Sequence, residues 1–227
     1  LKAAQEYAAK KGAIFIPPYD NRDVVLGQGT VGLEILDQLE GVDSILVAIG
    51  GGGLAAGVAV AAKLKAKAQG RKIKIIGVQS ANAASYVPSL KSGKVTQIAT
   101  KPTIADGIAV AKPGQIPFDL IKTHIDKVVT VTDDDIAKAI VTLLERSKLV
   151  VEPAGAVTVA ALMTGAFKPK GRTVAVLSGG NFDPLLMQKV IGHGLVASDR
   201  YVTISVMLPD RPGMLVKTAE AIASAHG

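Results

Sequence analysis

The sequence predicts an α/β protein in three layers, αβα, built on a mostly parallel sheet. Short apolar, β-branched runs alternate with helical stretches along most of the chain, the order that yields a parallel sheet covered on both faces. The runs are near-continuously apolar, as strands buried on both sides are. A third observation is local: the four consecutive glycines Gly50 to Gly53 join one such run to an alanine-rich helical stretch.

Leu1 to Lys11 reads as the later part of an amphipathic helix, with Leu1, Ala4, Ala8 and Ala9 on one face. Strands are expected at Ala13–Ile16, Ser44–Ile49, Ile73–Val78, Lys127–Val131 and Thr173–Leu177. Helices are expected at Thr30–Leu39, Leu54–Ala68, Ala83–Leu90, Ile116–His124, Asp133–Arg146, Pro153–Thr164 and Pro184–Ile191. Leu54, Val58, Ala61, Ala62 and Leu64 recur at helical spacing. Thr132 is an N-cap, and Asp133, Asp134 and Asp135 are first-turn acids favoured by the helix dipole. Pro153 suits the first turn of its helix. A break near Gly192–Asp199 precedes an alternating run, Tyr201–Met207, a Pro- and Gly-punctuated turn, Leu208–Gly213, and a helix from Met214 to Ala225 ending at His226-Gly227. His124 and His193 read as solvated helix-end or turn residues.

Composition narrows the function. The chain has 227 residues, 48% of them hydrophobic, which suits one sizeable α/β domain with a small appendage. With no Cys, disulfides and thiolate zinc sites are excluded. The net charge is +7, yet the lysines are dispersed and aromatics make up only 4%, which argues against nucleic acid as partner. No apolar window reaches membrane-span length and no signal-peptide pattern opens the chain, so no membrane partner and a cytoplasmic setting are expected. Both ends fall inside elements, the pattern of a piece of a longer protein.

Strand, glycine loop and helix together aim backbone N–H groups at an anion on a helix N-terminus, so Gly50 to Gly53 point to a phosphate. A tight turn needing positive φ would use one or two glycines, fewer than the four present. Other strand ends carry matching chemistry. Thr173–Leu177 runs into Ser178-Gly179-Gly180-Asn181, with a hydroxyl, an amide and room for close backbone approach. Thr103–Ile108 is a polar bend containing Gly107, and Val150–Gly155 sets Glu152 just before a helix. An acid there is also what the helix dipole favours, so position alone leaves both readings of Glu152 open.

Six segments occur in order: Phe15–Tyr19, Gly27–Thr30, Gly50–Leu54, Thr103–Gly107, Val151–Gly155 and Ser178–Asn181. Together they resemble the C-terminal two-thirds of threonine dehydratases (threonine ammonia-lyases), pyridoxal-phosphate enzymes of the tryptophan-synthase-β fold type, fold type II. The resemblance implies that Gly50, Gly51, Gly52, Gly53 and Leu54 bind the cofactor phosphate through backbone N–H groups. It implies that Ser178 hydrogen-bonds the pyridine nitrogen, that Gly107 lines the ring, that Glu152 lies close to the cofactor, and that Asn181 supports the Ser178 loop. A neutral hydroxyl at the ring nitrogen suits β-elimination over transamination. The implied reaction converts L-threonine, and L-serine more slowly, to the 2-oxo acid and ammonia, with biosynthetic use (towards isoleucine) and catabolic use both open. The implied partners are an amino-acid substrate, an amino-acid or nucleotide effector and, in a homo-oligomer, further copies of the chain. Serine racemases and serine dehydratases of the same fold are the nearest alternative, and a non-catalytic effector-binding module with a phosphate pocket is the alternative from another class.

The family's Schiff-base lysine motif and its asparagine loop lie upstream and have no counterpart here, so the chain alone is expected to be inactive and to hold no catalytic residue. Related enzymes carry a divalent cation where this chain has Gln79–Ser85; Gln79 and Ser85 replace its two carboxylates, so no metal is expected there. The resemblance divides the chain into the end of a small-domain helix (1–12), the cofactor-binding part (13–193), a linker (194–199) and the opening strand, loop and helix of an ACT regulatory unit (200–227).

Overall fold

The computed structural model describes residues 2–225. Leu1, His226 and Gly227, which bear on the expected ends of the first and last helices, lie outside the described residues. Four parallel strands, β1 (Ser44–Ala48), β2 (Lys74–Ser80), β3 (Lys127–Val131) and β4 (Thr173–Ala175), form one sheet in the order β3-β2-β1-β4. The helices are α1 (Lys2–Lys11), α2 (Arg22–Gln38), α3 (Gly53–Ala68), α4 (Tyr86–Ser92), α5 (Gln115–His124), α6 (Asp133–Thr142), α7 (Pro153–Met163), α8 (Pro184–Ala197) and α9 (Met214–Ser224).

Alternation along the strands builds the layers. Ile45, Val47 and Ile75 face a core shared with α2, α3, Tyr86 of α4, and Phe118 and Ile121 of α5. Leu46, Ala48, Ile76 and Val78 face a second core shared with α6, α7 and Val190 of α8. Each of the buried Ile, Leu and Val side chains among these contributes about 2 kcal/mol of transfer free energy. Both faces are therefore dry, which explains why β1 reads as an unbroken apolar run.

The expected three-layer α/β architecture is the one observed, but several elements differ. Ala13–Ile16 forms no strand: Ile14 and Ile16 are exposed, and Pro17-Pro18 removes two N–H donors that a ladder would need. The helix expected from Thr30 begins two turns earlier, at Arg22, where the Asn21 carboxamide oxygen accepts from Asp23 N (2.8 Å) and Val24 N (3.3 Å). Gly29, outside the expected helix, and Gly32, inside it, let α2 press against α3. A Cβ on Gly32 would sit 2.7 Å from the Val58 carbonyl oxygen, and one on Gly57 would sit 2.4 Å from that of Val25. The expected Ala83–Leu90 helix splits into a single 3-10 turn, Ala81–Ala83, and α4.

α8 runs past Ile191 to Ala197, so residues 194–197, read as linker, are helical. Gly194 breaks nothing: it admits α6, with its own Cβ position only 2.6 Å from the Ala137 carbonyl oxygen. His193 accordingly lies inside α8 and pairs with Asp134 through Nε2 (2.6 Å). The Tyr201–Met207 run forms no strand, leaving Val202, Ile204 and Met207 exposed. A strand needs a neighbour to satisfy its N–H and C=O groups, and none of the described residues provides one. Arg200, just before it, grips Glu145 with both terminal nitrogens (2.8 and 2.7 Å), which holds the Glu145 carboxyl below the usual carboxylate range. Among the described residues, no helix is long and apolar enough to cross a membrane.

Candidate functional site

The site lies beyond the C-terminal ends of β1 and β4, where open parallel sheets place their ligands. β1 leads through Ile49 into Gly50–Gly52, and α3 starts at Gly53. Gly52 is the N-cap in a left-handed conformation (φ 105°) with no side chain to cap the helix. Among the described residues, no main-chain carbonyl accepts from the N–H groups of Gly51, Gly52, Gly53 or Leu54. Four adjacent donors without an internal acceptor, at the positive end of α3, form an anion cradle.

Neighbours crowd all four glycines, Gly51 and Gly52 most of all. A Cβ on Gly50 would stand 3.0 Å from Ile108 Cα, one on Gly51 would enter the Tyr19 ring at 2.3 Å, and one on Gly52 would lie 2.0 Å from the Tyr86 hydroxyl. A Cβ on Gly53 would stand 3.1 Å from Tyr19 Cα. Gly51, Gly52 and Gly53 are buried, Gly50 and Leu54 half-buried. A tight turn alone would need glycine only at Gly52.

Ser178 follows β4. Residues Leu46 and Ala175 are partners in the ladder, and Val176 N–H continues it onto the Leu46 carbonyl (3.0 Å). Ser178 lies three residues past the end of β4, and Gly50 two residues past the end of β1, its neighbour in the sheet. Ser178 and Asn181 are exposed; Asn181 lies three residues further on, before the Asp183 cap of α8. Glu152 is half-buried and joins two loops. Its N–H donates to the Gly179 carbonyl (3.1 Å), and its Oε1 lies 2.4 Å from where a Gly179 Cβ would be and 3.6 Å from a Gly107 Cβ position. The structure thus brings Gly107, Glu152 and the Ser178 loop together, and joins Gly107 to the glycine quartet through the Ile108–Gly50 contact.

The Thr103–Gly107 bend is held by Asp133 of α6, which accepts from Thr103 Oγ1 (2.5 Å) and Ile104 N (3.1 Å). Thr132 is the N-cap, as expected, and Asp135 completes a capping box with it, so the three acids have distinct structural roles. In the Gln79–Ser85 stretch, buried Gln79 donates through Nε2 to the Ile49 carbonyl (3.3 Å) and approaches that of Ala83 (3.5 Å), while Ser85 Oγ is buried without a partner.

Two contributors were not singled out from the sequence. Asp20 accepts from Gln115 N (3.1 Å) and Ile116 N (2.9 Å), capping α5 from across the fold, while Tyr19 covers Gly51. Their only sequence signal was membership of the Phe15–Tyr19 segment and its neighbour. Asp20→Ala is expected to lower stability by about 1 kcal/mol, the usual worth of an N-cap, or about 2–4 °C in the unfolding midpoint. An unchanged midpoint in a thermal melt would show that α5 does not depend on this cap.

Comparison with known proteins agrees with the geometry. The chain is 47% identical over 224 residues to an L-threonine ammonia-lyase of Geobacter sulfurreducens and 44% identical over 223 residues to one of Thermotoga maritima, covering 98% of this chain in both cases and 55% and 54% of those proteins. The chain therefore spans about half the length of the curated relatives it matches. Among solved structures it is similar to the processed form of threonine deaminase isoform 2 of Solanum lycopersicum, with a TM-score of 0.77 and 36% identity over 85% of this chain and 56% of that one. A family model described as pyridoxal-phosphate dependent enzyme matches residues 1–179, from the first helix through the glycine quartet to the Ser178 loop, and the chain belongs to that family.

Proposed function

We propose that this chain is the cofactor-cradling part of a pyridoxal-phosphate-dependent threonine ammonia-lyase, which converts L-threonine to 2-oxobutanoate and ammonia, and L-serine to pyruvate and ammonia. The observation that carries the reading is the cradle of free N–H groups at Gly51–Leu54, which follows β1 as the Ser178 loop follows the neighbouring β4. It fits the cofactor's phosphate dianion in charge and in donor number. The relatives of 44% and 47% identity named for that reaction support the substrate.

When bound, pyridoxal phosphate supplies the electron sink that makes the α-proton of an amino acid removable. This chain's residues bind and orient. The N–H groups of Gly51, Gly52, Gly53 and Leu54 hold the phosphate, aided by the dipole of α3. Ser178 offers a neutral hydroxyl to the ring nitrogen, so no carboxylate holds a proton there and electron withdrawal stays moderate, which favours loss of the β-hydroxyl over transamination. Gly107 and Gly179, with no Cβ, leave room for the Glu152 carboxylate between their loops, so Glu152 would lie beside the ring, and Asn181 would steady the Ser178 loop. The nucleophilic lysine is supplied from an upstream segment joined to this chain. Residues 200–227 we assign to the opening of an ACT-like regulatory unit for a small effector. The exposed apolar side chains of Ile204, Met207, Leu215 and Val216 support a surface completed by further chain.

The test is made on the chain joined to its upstream segment. Pyridoxal-phosphate-dependent formation of 2-oxobutanoate from L-threonine is expected; no cofactor-dependent product would overturn the reading. Ser178→Ala in that enzyme is expected to lower kcat about tenfold or more, as for loss of an interaction worth about 1.5 kcal/mol in the transition state, with the unfolding midpoint unmoved because Ser178 is exposed. A wild-type rate would remove Ser178 from the site.

A further inference from the structure

The glycine quartet does not hold its own shape. The carbonyl of Gly51 accepts two hydrogen bonds, from the Tyr86 hydroxyl (3.0 Å) and from Gly114 N (3.1 Å). Tyr86 is fully buried, its ring tilted against Phe118 with centroids 6.3 Å apart. Its N–H in turn donates to Gln79 Oε1 (3.0 Å), and the other end of the same carboxamide donates to the Ile49 carbonyl (3.3 Å). One buried amide and one buried phenol therefore grip the main chain on both sides of Gly50.

A trans peptide is planar, with its C=O and the following N–H pointing in opposite directions. Fixing the Ile49 carbonyl fixes the direction of Gly50 N–H, and fixing the Gly51 carbonyl fixes that of Gly52 N–H. The two acceptors face the buried side chains, so the N–H groups of Gly50 and Gly52 are turned away from them. We propose that Gln79 and Tyr86 are positioning residues that preset the N–H groups of the quartet for a phosphate dianion, a role that rests on the cofactor placement above. No ionisable carboxylate takes part in the relay. Burial, and after it the nearby Asp20 carboxylate and Tyr19, push the Tyr86 phenol well above its ordinary range, so the hydroxyl stays a donor at every working pH. The relay thus works without a charge and without a metal ligand, using a neutral side chain at Gln79, where its amide spans Ile49, Ala83 and Tyr86.

The prediction is specific to the phosphate. Tyr86→Phe keeps the ring and its packing and removes only the hydroxyl. In the enzyme joined to its upstream segment, we expect the Kd for pyridoxal phosphate to rise about tenfold, the worth of one buried hydrogen bond. The Kd for pyridoxal, which has no phosphate, stays unchanged, and the phosphorus NMR signal of the bound cofactor shifts. Gln79→Met, which keeps the volume and removes both polar ends, is expected to act in the same direction. A Tyr86→Phe enzyme that keeps the wild-type preference for pyridoxal phosphate over pyridoxal overturns the relay, as does one that loses affinity for both equally, which is what a merely structural role predicts. A wild-type enzyme without that preference overturns something different: the placement of the phosphate on the quartet, and the relay with it.

Discussion

Gly52→Ala should abolish tight cofactor binding while leaving the sheet intact. Gly52 has φ 105°, a conformation that costs an L residue about 1–2 kcal/mol, and its added Cβ would lie 2.0 Å from the Tyr86 hydroxyl and 2.8 Å from Pro117 Cβ. Neither neighbour can move freely: Tyr86 is wholly buried against Phe118, and Pro117 is buried in the first turn of α5. The loop must therefore shift, and the N–H groups of Gly52 and Gly53 leave their common direction. Charge-assisted hydrogen bonds are worth about 1.5–3 kcal/mol each, so losing two corresponds to a rise in Kd of about 100-fold or more. Equilibrium titration with pyridoxal phosphate measures it, and circular dichroism checks the fold. A Gly52→Ala protein with wild-type affinity would show that the quartet does not bind the phosphate.

The second large effect is on stability. Gly57 lies in the interior of α3, where alanine would ordinarily be the better helix former by about 1 kcal/mol. Here its Cβ would meet only backbone: the Val25 carbonyl oxygen at 2.4 Å, Gly29 N at 2.7 Å and the Gln28 carbonyl carbon at 2.9 Å. Two helices would have to separate, opening the core that Val25, Val58, Ala59 and Ala62 share. Overpacking of this kind costs about 3 kcal/mol, so the net loss after the propensity gain is about 2 kcal/mol, or about 4–8 °C in the unfolding midpoint. The sign decides between local propensity and tertiary packing: a midpoint that rises in Gly57→Ala would mean that α2 and α3 are not in close contact.

The same contrast explains which parts of the fold were legible in the residues. Ser44–Ile49 and Ile73–Val78 stood out because both faces of the central strands are covered, so burial leaves an apolar trace at short length, and Lys127–Val131 stood out by its three valines. α6 stood out because Thr132 and its three acids form a strong N-terminal signal. The start of α2 did not, since Gly27 and Gly29 have the composition of a loop, and only the facing helix α3 shows why position 29 is a glycine. Gly192 and Gly194 misled in the same way, because Gly194 marks a crossing with α6. Tyr201–Met207 alternates as a strand does, yet alternation creates only the opportunity to pair.

By itself, the sequence determined the layer order, the strand–glycine–helix turn at Gly50–Gly53 and the family to which the chain belongs, because periodicity, turn chemistry and motif order are local properties. Only the tertiary structure decided what holds the cradle in shape. Tyr86 reaches Gly51 across 35 residues of chain, Gln79 reaches Ile49 across 30, and Asp20 caps α5 from 95 residues away. Contacts at such separations leave no periodic trace. They form when the sheet brings β1 beside β2, and burial then makes an unpaired hydroxyl or amide costly enough that each finds a main-chain partner.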